Sequence, residues 1–349
     1  MYGLELAEAC RMFMQDIMRV KNGETVAIVS DTGSDMSVVT ACADVSSQLG
    51  AEPIVMNSAM RDDVTMDPPK PVAESLMHVD VVVDLAVHHH MYTATYDKVL
   101  NAGKARWSTL AGRNAYGMIK TFKGLNLPKT LELGKKLVEL TVKAKTITLK
   151  SKTGTDISGI NDPATRPIRQ SGGTGVGDKP GLVTATGQVG WTPIEDSVSG
   201  TVAFDSMMFP RLGVCHTPIT CTFKEGKIVN IEGGLEAQIF AKTLKNYNDP
   251  NVYYMAHFTY GFHPGMPVVE FLPPSEFMPF LERTFGGFDI GLGTKGPQFG
   301  GPPRKAAIHT DGGFYHPSIW LDDVQIEEDG QYIHPEIVSI CKELKVPGY

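Results

Sequence analysis

Four short stretches of this chain carry side chains of types and spacings that could do chemistry. In "AAIHTDGG" (306–313), His309 and Asp311 are two positions apart. On a strand such residues share a face, so both could reach one ion while Ile308 and Thr310 point away. Gly312 and Gly313 would then let the backbone turn sharply. The plain alternative is a strand end with a hydrogen-bonded His–Asp pair. In "NVYYMAHFTYGFHPG" (251–265) the residues alternate around His257, with His263 further on beside Pro264. Alone, His257 could be an ordinary core histidine. Two histidines and one carboxylate together, His257, His309 and Asp311, make the facial triad of non-haem Fe(II) oxygenases. Asp289 in "FGGFDIGLG" is a further acid in apolar company, open to reading as a fourth metal ligand, a supporting partner or a buried turn acid. The run His88-His89-His90 closes an apolar stretch, where open α/β sheets present functional groups. In extended chain His88 and His90 share one face and His89 takes the other, and histidine suits proton transfer near neutral pH. One of the three is therefore a candidate acid/base, with a surface turn as the alternative.

These residues must be held by a fold, and 349 residues can bury a sizeable core and form two domains. A hydrophobic content of 42% excludes a disordered chain. The formal net charge of −7, with no basic run, argues against nucleic acid as the partner. The longest apolar run, 79–87, is broken by Asp80 and Asp84 and is too short to span a bilayer. No signal peptide is expected at "MYGLELAEACRMFMQDIMRV", which reads as an amphipathic helix. Five scattered cysteines, odd in number and without a C-x-x-C pair, fit reduced thiols in a cytoplasm.

Residues 1–145 read as an α/β domain with a mainly parallel sheet. Strands are expected at 24–31, 51–57, 79–87 and 105–111, and helices at 37–50, 96–103 and 129–144. Residues 146–349 read as an α+β domain of mainly antiparallel strands, β-rich and metal-binding. It includes a hairpin around Glu225-Gly226 and one helix at 234–247. "GGTGVGDKPG" (172–181) lacks the preceding strand and following helix of a dinucleotide fingerprint and reads as a loop. "DTGSD" (31–35) lies where open sheets bind ligands, or simply caps the next helix through Ser34 or Asp35.

The segments "GQVGWTPIEDSVSGT", "GGLEA", "HFTYGFHPG", "GGFDIGLG" and "HTDGG…PSIWLDD" resemble the aminopeptidase T-like, M29-like superfamily. Within it the chain is most similar to the 2,5-dihydroxypyridine 5,6-dioxygenase family, ring-cleaving Fe(II) enzymes of nicotinate catabolism. The resemblance is strongest over 187–323. It implies the aminopeptidase-like fold, one Fe(II) per chain on His257, His309 and Asp311, and His90 as the acid/base. Where the two-metal peptidases carry glutamates this chain has Gln188 and His257, and where they carry a histidine it has Asp289. Losing anionic ligands removes the charge needed to hold two divalent ions together. Between Glu282 and Thr294 the chain departs from the dioxygenase pattern of polar residues and adds Asp289. The implied reaction is ring cleavage of a 2,5-dihydroxypyridine-like heteroaromatic by O₂, in a cytoplasmic dimer or larger homo-oligomer without nucleic-acid or membrane partners. Trp191, Tyr260 and Phe314, with Phe262 and Tyr315, are candidate walls for the ring. Glu195 is a candidate metal ligand or supporting group, while His263 and His316, each beside a proline, read as structural. A two-metal aminopeptidase and a non-catalytic small-molecule-binding protein are the alternative functions.

Overall fold

The structure is a computed structural model that describes residues 3–61, 66–170, 178–266 and 281–349. It divides into two compact units, Met1–Leu125 with Ser171–Thr186, and Asn126–Gln170 with Gly187–Tyr349.

In the first unit, helix α1 (Gly3–Arg11) continues through a wider turn to Ile17. Strand β1 (Thr25–Asp31), helix α2 (Met36–Gln48) and strand β2 (Glu52–Ser58) follow. Then come β3 (Val81–Asp84), α3 (Ala94–Asn101), β4 (Arg106–Thr109) and α4 (Ala115–Phe122). The described strands pair in parallel in the order β2-β1-β3-β4, and the two-residue strand Gly181–Leu182 adds to β4. Such a sheet is covered on both faces, which is why β3 is wholly buried and reads as a continuous apolar run. The expected strand 79–87 ends early because Asp84 turns back on the chain. Its carboxylate accepts the backbone N–H groups of Ala86 and His90, drawing the following residues out of the sheet. Asp35 caps α2 by accepting the Ser37 N–H at 2.9 Å, so the capping reading of "DTGSD" describes what Asp35 does.

The second unit starts with α5 (Leu127–Lys143), which the sequence pattern alone puts in the first domain. Its Leu133 and Leu137 are fully buried in the core of the second unit, so the division falls at Leu125/Asn126 instead of 145/146. Residues 178–186 likewise return to the first unit, while 172–177 of the glycine-rich stretch lie outside the described residues. The second unit is built on a large sheet whose described strands pair antiparallel. The Glu225-Gly226 hairpin is present, with positive φ at both residues as a tight turn between twisted strands requires. Four adjacent strands position the candidate site, in the order β5 (Gln188–Trp191), β6 (Met255–Gly261), β7 (Phe288–Lys295) and β8 (Arg304–Phe314). The expected sharp turn at Gly312-Gly313 is absent, since β8 runs straight on to Phe314. Gly312 instead leaves room for the Phe204 ring, which a side chain there would strike. No helix among the described residues is long and apolar enough to cross a membrane.

Candidate metal centre

Strand alternation and register decide which side chains meet. His257 in β6 lies level with Gly291 in β7, which lies level with Asp311 in β8. Thr259 pairs with Asp289, and Gly293 with His309. One face of the sheet therefore carries His257, Thr259, Asp289, His309 and Asp311, separated by glycines 291, 293 and 313. The opposite face carries Trp191, Phe258, Tyr260, Phe288, Ile290 and Phe314.

On the first face the His257 and His309 Nε2 atoms are 3.3 Å apart. The Asp311 carboxylate comes within 3.1 Å of His257 Nε2 and 3.5 Å of His309 Nε2. Among the described residues this is the group whose ligand atoms converge closely enough to hold a metal ion. Each ring is turned by a partner on its far nitrogen. His309 Nδ1 is 2.7 Å from the Thr294 carbonyl oxygen, which can only accept, so Nδ1 donates and Nε2 keeps its lone pair. His257 Nδ1 is 3.1 Å from the Thr259 hydroxyl, which fits the same tautomer. Outer partners of this kind are what orient metal-binding histidines.

The electrostatics ask for positive charge at this point. Burial pushes Asp311 towards its neutral form, but the charge of His309 and the approach of both imidazoles hold it well below the usual carboxylate range. Burial opposes charging of His309, while Asp311 raises its pKa. Neither Asp311 oxygen receives an aligned hydrogen bond from the described residues, although the carboxylate is 1% exposed. Two imidazole nitrogens and a buried carboxylate within 3.5 Å of one another fit one divalent cation, in a donor set of two imidazoles and one carboxylate.

The remaining sequence candidates fall in different places. Asp289 sits behind His257, with Oδ2 3.8 Å from Nδ1, the ring nitrogen that faces away from the other ligands. Burial and the nearby charge of Asp311 push its pKa well up. It is close to the triad without converging with it. Glu195 accepts from Arg166 Nε at 2.9 Å and Nη2 at 2.7 Å and pairs with the buried Lys295 ammonium. That neighbourhood uses its charge and sets it apart from the triad. Trp191, Tyr260 and Phe314 are fully buried core on the opposite face, so the alternation of the sheet removes them from the candidate site. The Trp191 indole donates to Asn161 and the Tyr260 hydroxyl meets Thr141 beneath α5, which satisfies their polar ends within the core. Phe262 is also buried core; Tyr315 is buried, with its backbone N–H given to Asp205. Buried His263 accepts the Gly265 N–H, and exposed His316 follows the end of β8.

The histidine run belongs to the first unit. His90 is 2% exposed; its Nδ1 is 3.2 Å from Asp84 Oδ1, and its backbone N–H donates to Asp84 Oδ2 at 2.7 Å. A carboxylate on Nδ1 fixes the tautomer and leaves Nε2 able to take a proton. His88 Nδ1 faces the Arg61 carbonyl, and His89 Nδ1 accepts the Met91 N–H. Of the three, His90 therefore has the support of an oriented acid/base.

Sequence reasoning missed four contributors. In the sequence Asp84 shows only as an interruption of an apolar run. Thr259 orients His257, and Gly291 leaves the space its ring occupies, since a methyl group there would land on the Nε2 end of the imidazole. Phe299, on the turn after β7, stacks on His257 with centroids 4.9 Å apart and planes at 23°. The alternation in Asp289-x-Gly-x-Gly carried a signal for the two glycines; nothing local marked Phe299.

Comparison with known proteins places this chain in a family. Residues 5–334 match the family model of 2,5-dihydroxypyridine 5,6-dioxygenase. A curated protein of that name from Pseudomonas putida strain KT2440 is 31% identical over 151 residues. That match spans 41% of this chain and 42% of the relative, so the chain spans under half the length of the curated relative it matches. The solved 2,5-dihydroxypyridine dioxygenase of Pseudomonas putida KT2440 shares the fold, with a TM-score of 0.77 and 22% identity over 96% of this chain and 99% of that one. The AmpT protein of Thermus thermophilus is also similar in fold, with a TM-score of 0.67 and 12% identity over 96% of this chain and 100% of that one. With its sheet architecture and its match from residue 5 to residue 334, this chain belongs to the 2,5-dihydroxypyridine 5,6-dioxygenase family.

Proposed function

We propose that this protein is a mononuclear non-haem Fe(II)-dependent dioxygenase that opens the ring of a 2,5-dihydroxypyridine-like heteroaromatic with O₂. The observation that carries the reading is the convergence of His257 Nε2, His309 Nε2 and the Asp311 carboxylate on one face of the sheet. Family membership supports the ring class. These three residues would hold the iron. Bound iron supplies a Lewis-acidic anchor for a substrate hydroxylate and the redox chemistry by which O₂ can react with a closed-shell ring.

The chain's own residues do the rest. The two imidazoles bind as neutral ligands and Asp311 contributes one negative charge. Thr294 and Thr259 keep the ring protons on Nδ1 and the lone pairs on Nε2. For proton transfer we infer His90. In the tautomer set by Asp84, its Nε2 is the nitrogen left to take up a proton and to return one later. The Asp84 carboxylate stabilises the imidazolium in between. A cytoplasmic location and a dimeric or larger assembly belong to the same proposal, the assembly checked by light scattering.

The test is metal analysis with an oxygen electrode. Protein reconstituted with Fe(II) without air should hold about one iron per chain. It should consume O₂ only when 2,5-dihydroxypyridine or a close analogue is added. His309→Ala and Asp311→Ala should each lose the iron; unchanged iron content in both would sink the triad. Two zinc or cobalt ions per chain, with release of amino acids from peptides without O₂, would decide for an aminopeptidase.

A further inference from the structure

We propose that Phe299 and Gly291 form a clamp on the His257 imidazole, and that this clamp sets how tightly the triad holds a divalent cation. The proposal rests on the metal reading above and assigns positioning roles to two residues outside the triad. His257 is the triad member that needs such help. His309 and Asp311 are neighbours on one strand and share its stiffness, whereas His257 comes from a different strand, two away in the sheet. Its side chain must cross the intervening strand to reach Asp311, and Gly291 occupies the crossing point in register with both. A side chain there would collide with the Nε2 end of the ring, the end that faces the other ligands. Gly291 therefore supplies the space, and the Thr259 hydroxyl meets one edge of the ring at Nδ1, but neither covers its face. Phe299 does, stacking on it with the planes at 23°.

Phe299 is itself held in place. It ends the short turn Pro297–Phe299, and the glycines that follow have φ of 67° and 61°. The Gly301 N–H donates to the Thr165 carbonyl at 3.2 Å, docking the turn on the 165–167 segment. Beside Gly301 lie the Arg166 guanidinium and the Lys295 ammonium, joined through Glu195. A partly buried ion cluster thus lies beside the turn, the turn presents Phe299, and Phe299 stacks on His257. This gives Glu195 a structural connection to the metal centre that does not pass through coordination.

The experiment is an anaerobic cobalt(II) titration of the full chain, read by chelator competition and by the visible absorption of the bound ion. Phe299→Leu keeps an apolar group of similar size but loses the flat face. It should bind cobalt about 10–100-fold more weakly than wild type and show an altered visible band, because outer partners of metal histidines tune affinity on this scale. Phe299→Tyr restores the face and should return the affinity to within about threefold of wild type. Gly291→Ala should weaken binding comparably, and it tests the clamp from the strand side if the turn variant fails to fold. Wild-type affinity and spectrum in folded Phe299→Leu or Gly291→Ala, with binding lost in His309→Ala, would overturn the clamp and leave the metal reading standing. Absence of cobalt binding by wild type, or binding unchanged in His309→Ala, would overturn both.

Discussion

At the scale of single residues, the candidate chemistry depends on what lies behind each reacting atom. His90 is the clearest case, because the Asp84 carboxylate both receives its backbone N–H and faces its Nδ1. Asp84→Asn should leave the metal content unchanged and lower turnover by about 10²–10⁴-fold, the range assigned to a correctly oriented acid/base. Steady-state kinetics beside iron analysis would check it, and a parallel loss of iron would count against a proton-transfer role. Asp289 makes the opposite case. It approaches His257 from the Nδ1 side and does not converge with the other ligand atoms. Asp289→Asn, which preserves shape, should therefore retain about one iron per chain. Loss of the iron in that variant would promote Asp289 to a ligand.

At the scale of elements, the site is a product of strand register and of one irregularity. The pairing of β7 with β8 shifts between Gly293 and Lys295, at Gly293 with its φ of 85°. A bulge re-aims the backbone that follows it. The next carbonyl, Thr294, is the one that takes the Nδ1 proton of His309. A side chain at 293 would meet the Ile308 carbonyl and would sit in left-handed backbone that other residues rarely adopt. Gly293→Ala should cost about 1–3 kcal/mol of stability, measured by urea unfolding. It should also weaken metal binding through the misplaced carbonyl. Wild-type stability would mean that the bulge is not needed.

At the scale of the whole molecule, one buried acid in the second unit should make stability depend on pH. Glu327 is fully buried, and neither carboxylate oxygen has a hydrogen-bond partner among the described residues. Burial pushes its pKa well above the ordinary 4.5. The folded state thus keeps the proton where the unfolded chain releases it. The resulting stability is fully present below pH 4.5 and is lost as the pH rises towards the folded pKa. Over that window the loss is about 1.4 kcal/mol per pH unit. Glu327→Gln removes the ionisable group, so its melting temperature should gain on wild type as pH increases from 5 to 8. A constant difference across that range would show that Glu327 does not titrate there.

Much of the fold and part of the site are legible in the sequence. The parallel sheet of the first unit is expected from β-branched runs alternating with amphipathic helices, whereas its strand order β2-β1-β3-β4 rests on packing between distant segments. His309-x-Asp311 is legible locally, since a two-residue repeat on a strand puts both side chains on one face. That His257 joins them rests on pairing across 52 residues of sequence, which no local spacing encodes. The aromatic walls misled because composition says only that Trp191, Tyr260 and Phe314 will be buried. The parity of the strand register decides the face, and it put all three in the core. The sequence by itself determined the residue types, the strands that carry them and one ligand pair. Tertiary structure alone brought Gly291 under His257, Phe299 onto its ring and Asp84 behind His90, because each of those contacts depends on how separated segments pack.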